Sequence, residues 1–260
     1  MRRFGSLLQP RSLELARTLA RNEISLMEQG TPLGFFLSFV NNVVMLLVFH
    51  ALFVDRFLVG VPNAWVYLLL GIVQWNLYIN VSMAGFGCFI YRQKIVMGYS
   101  FPREIMILSR TAAVFVPYLL ELSLILGITI YLGLPVTWKY ALLPVLLVCQ
   151  FLFCAGLCCL FAFIGVLHKN VIPFWNIMFR LLSFATPIFY LPVHFQSKWA
   201  NLVYSWNPFT IFMIWVRDIV GANGFPVAFQ PLKILFGSFL LFFFSYFLFR
   251  VTERKVGDNL

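Results

Sequence analysis

Long apolar stretches alternate with short polar segments along the chain. Six of these stretches approach or exceed the roughly 20 mostly apolar residues that a membrane-spanning helix needs. The pattern therefore predicts an all-α integral membrane protein that forms a single transmembrane domain over residues 1–260. The six expected transmembrane helices cover residues 32–54, 64–91, 105–132, 140–167, 171–190 and 232–249.

Residues 11–29 follow a helical amphipathic pattern instead. Ser12 is a suitable N-cap, and apolar and polar residues then fall on opposite faces. The apolar face holds Leu13, Ala16, Ala20, Ile24 and Met27, and the polar face holds Glu14, Thr18, Arg21, Ser25 and Glu28. Because this helix directly precedes a spanning segment, we expect it to lie in the membrane interface. A cytosolic helix packed on a partner remains the alternative.

Within residues 191–230, the stretch from Val193 to Gly221 is too polar and too rich in tryptophan to form one lipid-embedded span. Trp199, Trp206 and Trp215 suit an interface, where an apolar ring and a polar N–H group are both accommodated. The alternative is a seventh span over residues 209–220, which at about 12 residues is too short to cross a bilayer.

Composition excludes a soluble globular protein. Hydrophobic residues make up 62% of the chain and charged residues 11%, against about 25% charged residues in soluble domains. The net charge of +10 does not indicate nucleic-acid binding, because Lys and Arg concentrate at the ends of the apolar segments. They are most frequent in residues 1–29, in residues 92–104 and after residue 249, which predicts cytoplasmic termini and an even number of spans.

Two kinds of chemistry have no basis in the sequence. The chain contains no G-x-x-x-x-G-K-[ST] motif, so uphill transport would need a partner or an ion gradient for energy. Cys154 and Cys158 share a helix face, but no His or carboxylate lies in the same apolar run to complete a metal site. We interpret the cysteines as small residues that allow close helix packing, and we expect no bound metal.

Three stretches carry a resemblance to a known family. The first is ARNEISLMEQGTPLGFF, in which the amphipathic helix leads into span one. The second is YRQKIVMGYSFPREIMILSR, in which the residues FPRE (101–104) begin span three. The third is TPIFYLPVHFQSKWANLVYSWNPFTIFMIWVRDIV, which combines a proline-broken span, Asn207-Pro208 and Arg217-Asp218. In this order and spacing, they resemble the membrane subunit of ABC-2-type exporters, most closely the branch that exports O-antigen, capsule or teichoic-acid chains.

The resemblance implies a permease that homodimerises around one channel, with two copies of a separate ABC ATPase subunit beneath it. Its expected cargo is a lipid-linked, O-antigen-like glycan moved outward across the bacterial cytoplasmic (inner) membrane. Membrane lipid is an expected partner of the permease as well. The resemblance also implies that this chain performs no covalent chemistry and binds no cofactor, since ATP and Mg would sit on the partner. No nucleic-acid partner is expected.

The family's docking surface for the ATPase is formed by the interfacial helix and the cytoplasmic segment between spans two and three. Residues 92–104 are basic and bounded by Pro102, which suits the first turn of a helix. An ordinary positive-inside loop is the alternative. The docking residues expected on this basis are Arg17, Arg21, Glu23, Arg92, Lys94, Arg103 and Glu104.

Aromatic residues make up 18% of the chain, and spans one, two and five are dense in them. Sugar rings present C–H faces that stack on aromatic planes without strict selection of the sugar, which a processive channel requires. Simple lipid-facing bulk is the alternative. The candidates for the channel lining are Phe35, Phe39, Trp75, Phe179, Phe184 and Tyr190.

Two ionisable residues, Glu121 and Arg180, fall at membrane depth, where such groups usually face a bundle interior or a cavity. They are expected either to pair with each other or, for Arg180, to contact a lipid diphosphate. In the resembled family, residues 191–230 form re-entrant or gate helices that cap the channel on the outward side. The corresponding gate residues are Trp206, Asn207, Pro208, Arg217 and Asp218.

Three other functions are less well supported by the sequence. An ABC-2 exporter of drugs or lipids normally carries a large outward domain or a fused ATPase. A membrane glycosyltransferase requires clustered acidic residues, whereas the nine Asp and Glu residues are scattered. An ion-coupled secondary transporter is favoured by internal repeats, and the sequence shows none.

Overall fold

The computed structural model describes most of the apolar part of the chain. The described residues are 14, 17–19, 21–22, 32–58, 61, 63–90, 103–168, 171–191, 207–222 and 231–259, with backbone alone at 32–35, 38, 53, 55–57, 231–234 and 251–259. Glu14, Arg17 to Leu19, Arg21 and Asn22 are helical, and the Thr18 hydroxyl donates to the Glu14 carbonyl at 2.8 Å. This agrees with the predicted amphipathic helix at those positions.

Seven longer α-helices occupy the described ranges, together with a 3₁₀ turn at Trp138–Leu142. Each of the six segments predicted to span the membrane contains one of them, so their helical character is confirmed. The helices are α1 (Pro32–Phe57), α2 (Ala64–Ile90), α3 (Glu104–Tyr131), α4 (Leu143–Leu167), α5 (Val171–Ala185), α6 (Pro208–Val220) and α7 (Pro231–Asn259).

Two helix boundaries differ from the prediction by five residues or more. The helix α5 ends at Ala185 instead of residue 190, because the residue before a proline avoids the helical region and Pro187 cannot donate a backbone hydrogen bond. The helix α7 continues to Asn259, ten residues beyond the predicted end at 249. The polar sequence that follows the apolar part of α7 therefore extends the same helix.

Three helical segments among the described residues are long and apolar enough to cross a membrane. They are Ala64–Ile90, Glu104–Tyr131 and Trp138–Leu167. Shorter apolar helices lie at Phe39–Leu52, Val171–Ala185 and Leu235–Arg250. The fold is thus an all-helical membrane protein in the part that the structure describes, and the count of six spans stays a prediction.

Small residues bring the central helices into close contact. A Cβ added at Gly85 would lie 2.7 Å from the carbonyl oxygen of Cys158, and one at Gly165 would lie 2.8 Å from that of Phe86. Gly156 packs in the same way against the backbone of Phe242. Lipid supplies no hydrophobic force between helices, so such close packing stabilises the bundle. Two buried cysteines of α4 lie in such contacts, since the Cys158 carbonyl faces Gly85 and Cys159 Sγ lies 3.4 Å from the carbonyl oxygen of Ser245 in α7, in agreement with the packing interpretation.

Candidate transport site

Arg217 is the most deeply buried charged side chain that the structure describes, with no exposed surface. Its Nε donates to the carbonyl of Tyr67 at 3.0 Å, its Nη1 to that of Pro187 at 2.7 Å, and its Nη2 to that of Ile188 at 3.1 Å. The guanidinium carbon also lies 3.4 Å from the centroid of the Tyr67 ring. One side chain of α6 therefore binds both α2 and the chain that follows α5.

The proline-broken end of α5 supplies the acceptors for Arg217. Because the helix stops at Ala185, the carbonyls of Pro187 and Ile188 have no helical donors, and the planar, five-donor guanidinium satisfies them. The Tyr67 hydroxyl adds a bond to the Tyr190 carbonyl at 2.9 Å. Gly71 leaves room for the guanidinium, since a Cβ added there would clash with Nη2.

Asp218 binds in a different direction from its neighbour Arg217. Its carboxylate accepts from Lys139 Nζ at 2.9 and 3.0 Å, and Lys139 belongs to the 3₁₀ turn before α4. The two side chains are partly exposed, at 36% and 23%. Adjacent residues of α6 therefore attach it to opposite neighbours, Arg217 to α2 and the end of α5, Asp218 to the entrance of α4.

The start of α6 is fixed by the predicted gate residues Asn207 and Pro208. The Asn207 side chain caps the helix by accepting from the Phe209 N–H at 3.0 Å. It also donates to the Thr186 hydroxyl at 2.9 Å, and Pro208 occupies the first helical position. Thus both ends of α6 contact the broken end of α5. The predicted gate residue Trp206 lies outside the described residues.

The predicted channel aromatics fall into two groups. Trp75 and Phe179 are buried and pack edge to face with ring centroids 5.8 Å apart, and Trp75 also contacts Phe209 at 5.7 Å. Phe184 is 68% exposed, whereas Phe39 and Tyr190 are half-buried. The first pair belongs to a closed aromatic cluster inside the chain, and the other three reach its surface. The side chain of Phe35 lies outside the described residues.

Glu121 is buried in a polar chain that joins three helices. It accepts from Asn42 Nδ2 of α1 at 3.0 Å, and Asn42 Oδ1 accepts from Asn76 Nδ2 of α2 at 2.6 Å. Arg180 is exposed on α5, and no ion pair joins it to Glu121 within the described residues. Within the described residues, the Glu121 carboxylate therefore binds the Asn42 amide of α1 and not Arg180.

A second polar network lies between α2, α3 and α4. Gln74 donates to the Tyr78 hydroxyl at 2.8 Å, and the Tyr118 hydroxyl lies 2.8 Å from Gln74 Oε1 and 3.2 Å from Gln150 Oε1. All four side chains are buried. Sequence reasoning missed this network, although two glutamines in apolar helices were a usable signal, since buried amides need partners.

The predicted docking residues occupy different environments. Arg17 and Arg21 are exposed, and Arg103 is half-buried. Glu104 is 8% exposed and forms an ion pair with Arg250 of α7, with 3.1 Å between Oε1 and Nη2. Its carboxylate therefore has a partner within the chain, which the sequence did not indicate. The remaining docking candidates, Glu23, Arg92 and Lys94, lie outside the described residues.

These features define a polytopic membrane protein with charged and amide side chains held between apolar helices, an arrangement typical of transporters. Residues 14–221 match the family model described as ABC-2 type transporter. The chain therefore belongs to the ABC-2 type transporter family, and as a transport subunit it is not classed as an enzyme.

Named relatives cover most of the chain. The O-antigen export system permease protein RfbA of Myxococcus xanthus is 25% identical over 219 residues, which is 84% of each chain. A protein of the same name from Klebsiella pneumoniae is 20% identical over 208 residues, covering 79% of this chain and 80% of the relative.

Proposed function

We propose that this chain is the permease subunit of an ABC exporter that moves a lipid-linked, O-antigen-like polysaccharide outward across the bacterial inner membrane. The observation that carries the proposal is the family match over residues 14–221 together with relatives named as O-antigen export permeases. ATP is hydrolysed by a separate ABC ATPase. Capsule, teichoic acid, lipid or a drug is the alternative cargo.

The proposed complex contains two copies of this chain and two ATPase subunits. Six spans place both termini in the cytoplasm, where the interfacial helix and residues 92–104 meet the ATPase. The exposure of Arg17 and Arg21 supports this docking surface. Arg103 contributes at the entrance of α3, whereas Glu104 acts inside the permease through Arg250.

Co-purification with the ATPase tests the docking surface. We expect Arg103→Glu to abolish capture of the ATPase subunit while the permease still inserts, because the reversal places a negative charge in a basic surface. Arg56→Glu is the matched control, since the proposed topology places residue 56 on the outward side. Equal capture by both variants would contradict the docking surface.

The proposed channel runs along the surface that carries Phe39, Phe184 and Tyr190, the predicted aromatics that remain accessible. Arg180 is exposed on the same helix as Phe184 and is suited to contact the diphosphate of a lipid carrier. Alanine at all three aromatic positions should reduce export while ATP turnover continues. Full export by this triple variant would contradict the proposed channel lining and would indicate that these three side chains only face lipid.

The helix α6 is proposed as the outward gate. Its support comes from the contacts of Asn207 and Arg217, which tie it to the break after α5.

A further inference from the structure

The end of α2 and the start of α3 both contact one turn of α7. Phe89, near the end of α2, stacks on Phe249 with ring centroids 5.7 Å apart and planes 12° apart. Glu104, the first residue of α3, pairs with Arg250. The docking segment, residues 92–104, connects these two contacts along the chain. Both of its flanks are therefore attached to the turn Phe249–Arg250.

The Arg250 side chain is held from two sides. Its Nε and Nη2 donate to the Tyr246 hydroxyl at 2.8 and 2.6 Å, and Nη2 lies 3.1 Å from Glu104 Oε1. The Tyr246 hydroxyl is itself 3.5 Å from Glu104 Oε1. Because the Glu104 carboxylate is buried, loss of Arg250 would leave it without its charged partner. The link between α3 and α7 is therefore short and constrained.

The helix α7 in turn packs directly on α4. A Cβ added at Gly156 would lie 3.0 Å from both N and Cα of Phe242, so the two backbones are in contact. One turn further on, Cys159 Sγ lies 3.4 Å from the carbonyl oxygen of Ser245. Closely packed helices have low compressibility and transmit strain to one another. Displacement of α7 near Phe249 and Arg250 therefore displaces α4 with it.

We propose that Arg250 is a positioning residue that transmits movement of the docking segment to α7. The inference rests on the proposed function, because the movement originates in the ATPase subunits. Nucleotide binding displaces residues 92–104, and the Glu104–Arg250 ion pair and the Phe89–Phe249 stack carry that displacement to α7. The helix α4 follows through its contact at Gly156.

Hydrogen–deuterium exchange of the purified permease–ATPase complex tests this role. Exchange is compared between the nucleotide-free state and the state trapped with ATP and vanadate. In the wild type, we expect trapping to change exchange in residues 92–104 and in α7. In Arg250→Gln, the change in residues 92–104 should remain, and the change in α7 should fall at least threefold. Lys255→Gln removes a positive charge from the same helix and should behave as wild type.

Export provides the second readout. Surface polysaccharide of the host, measured on gels, should fall at least tenfold in Arg250→Gln while ATP turnover of the purified complex stays within twofold. If Arg250→Gln does not insert, Tyr246→Phe removes the hydroxyl that holds Arg250, keeps the ring, and should lower both the α7 change and export at least twofold.

The possible failures are distinguishable. A wild-type permease that captures no ATPase would refute the proposed function itself. A functional complex in which α7 responds equally in wild type and Arg250→Gln would overturn the role of Arg250 alone. The same conclusion follows if α7 shows no nucleotide-dependent change in an active wild-type complex.

Discussion

Replacing Gly71 by alanine perturbs the contacts of Arg217 while residue 217 itself stays unchanged. The added Cβ would clash with Arg217 Nη2 and would lie 3.2 Å from the carbonyl oxygen of Ile188. An arginine end is normally free to move aside, but here it donates to three backbone carbonyls. The guanidinium must therefore give up part of this bonding to make room.

The expected cost follows from the bonds that are lost. A hydrogen bond to a charged group contributes about 1.5–3 kcal/mol, so loss of the Nη2 bond and weakening of a second bond costs about 3 kcal/mol. Alanine gains about 1 kcal/mol over glycine inside a helix. The net loss is about 2 kcal/mol, which corresponds to a fall of about 5 °C in Tm for a domain of this size.

Thermal unfolding of the detergent-purified permease measures this loss. Gly127→Ala is the matched control, because Gly127 also lies inside a helix but a Cβ added there meets no atom within 4 Å. We expect Gly127→Ala to leave Tm unchanged or to raise it slightly. A Gly71→Ala variant as stable as Gly127→Ala would refute the reasoning.

A double-mutant cycle separates the guanidinium from other contacts of residue 71. In an Arg217→Met background, the clashing Nη2 atom is absent. Adding Gly71→Ala to that background should therefore lower the free energy of unfolding by less than about 1 kcal/mol. A full additive loss in that background would assign the effect to the Ile188 backbone instead of to Arg217.

Substitutions at three further positions test other contacts. Asp218→Asn removes a partly exposed ion pair to Lys139 and should cost less than about 1 kcal/mol in thermal unfolding; a loss above about 3 kcal/mol would show that the pair is not solvated. Glu121→Leu leaves the Asn42 amide without its acceptor and should cost about 1–3 kcal/mol, whereas Glu121→Gln retains an acceptor and should cost less; equal losses would contradict the bond. Gly165→Val drives a side chain into the backbone of α2 and should abolish the monodisperse peak in size-exclusion chromatography, so an unchanged peak would disprove that close contact.

Much of the fold was predictable because lipid permits few solutions. An apolar run of spanning length has to be helical, since every backbone group must be satisfied within the segment. Each predicted span accordingly contains a helix. Pro187 marked the break in span five, although the helix ends two residues before it. The continuation of α7 to Asn259 was not predicted, because polar residues after an apolar run do not by themselves end a helix.

The contacts within the candidate site were less predictable. Arg217 was predicted to be a gate residue, but its acceptors are backbone carbonyls, which no side-chain pattern reveals. Its distant partner Tyr67 is 150 positions away in sequence. Aromatic density likewise did not distinguish Phe179, packed inside the chain, from Phe184, which reaches the surface. Both lie on the same helix, and they differ in whether other parts of the chain pack over the ring.

The most direct test of the central claim is deletion of this chain in its native host, followed by measurement of lipid-linked glycan on each side of the inner membrane. The account predicts that surface polysaccharide disappears and that lipid-linked glycan accumulates on the cytoplasmic face, with both restored by the wild-type chain. Unchanged surface polysaccharide, with no glycan accumulated inside, would contradict it.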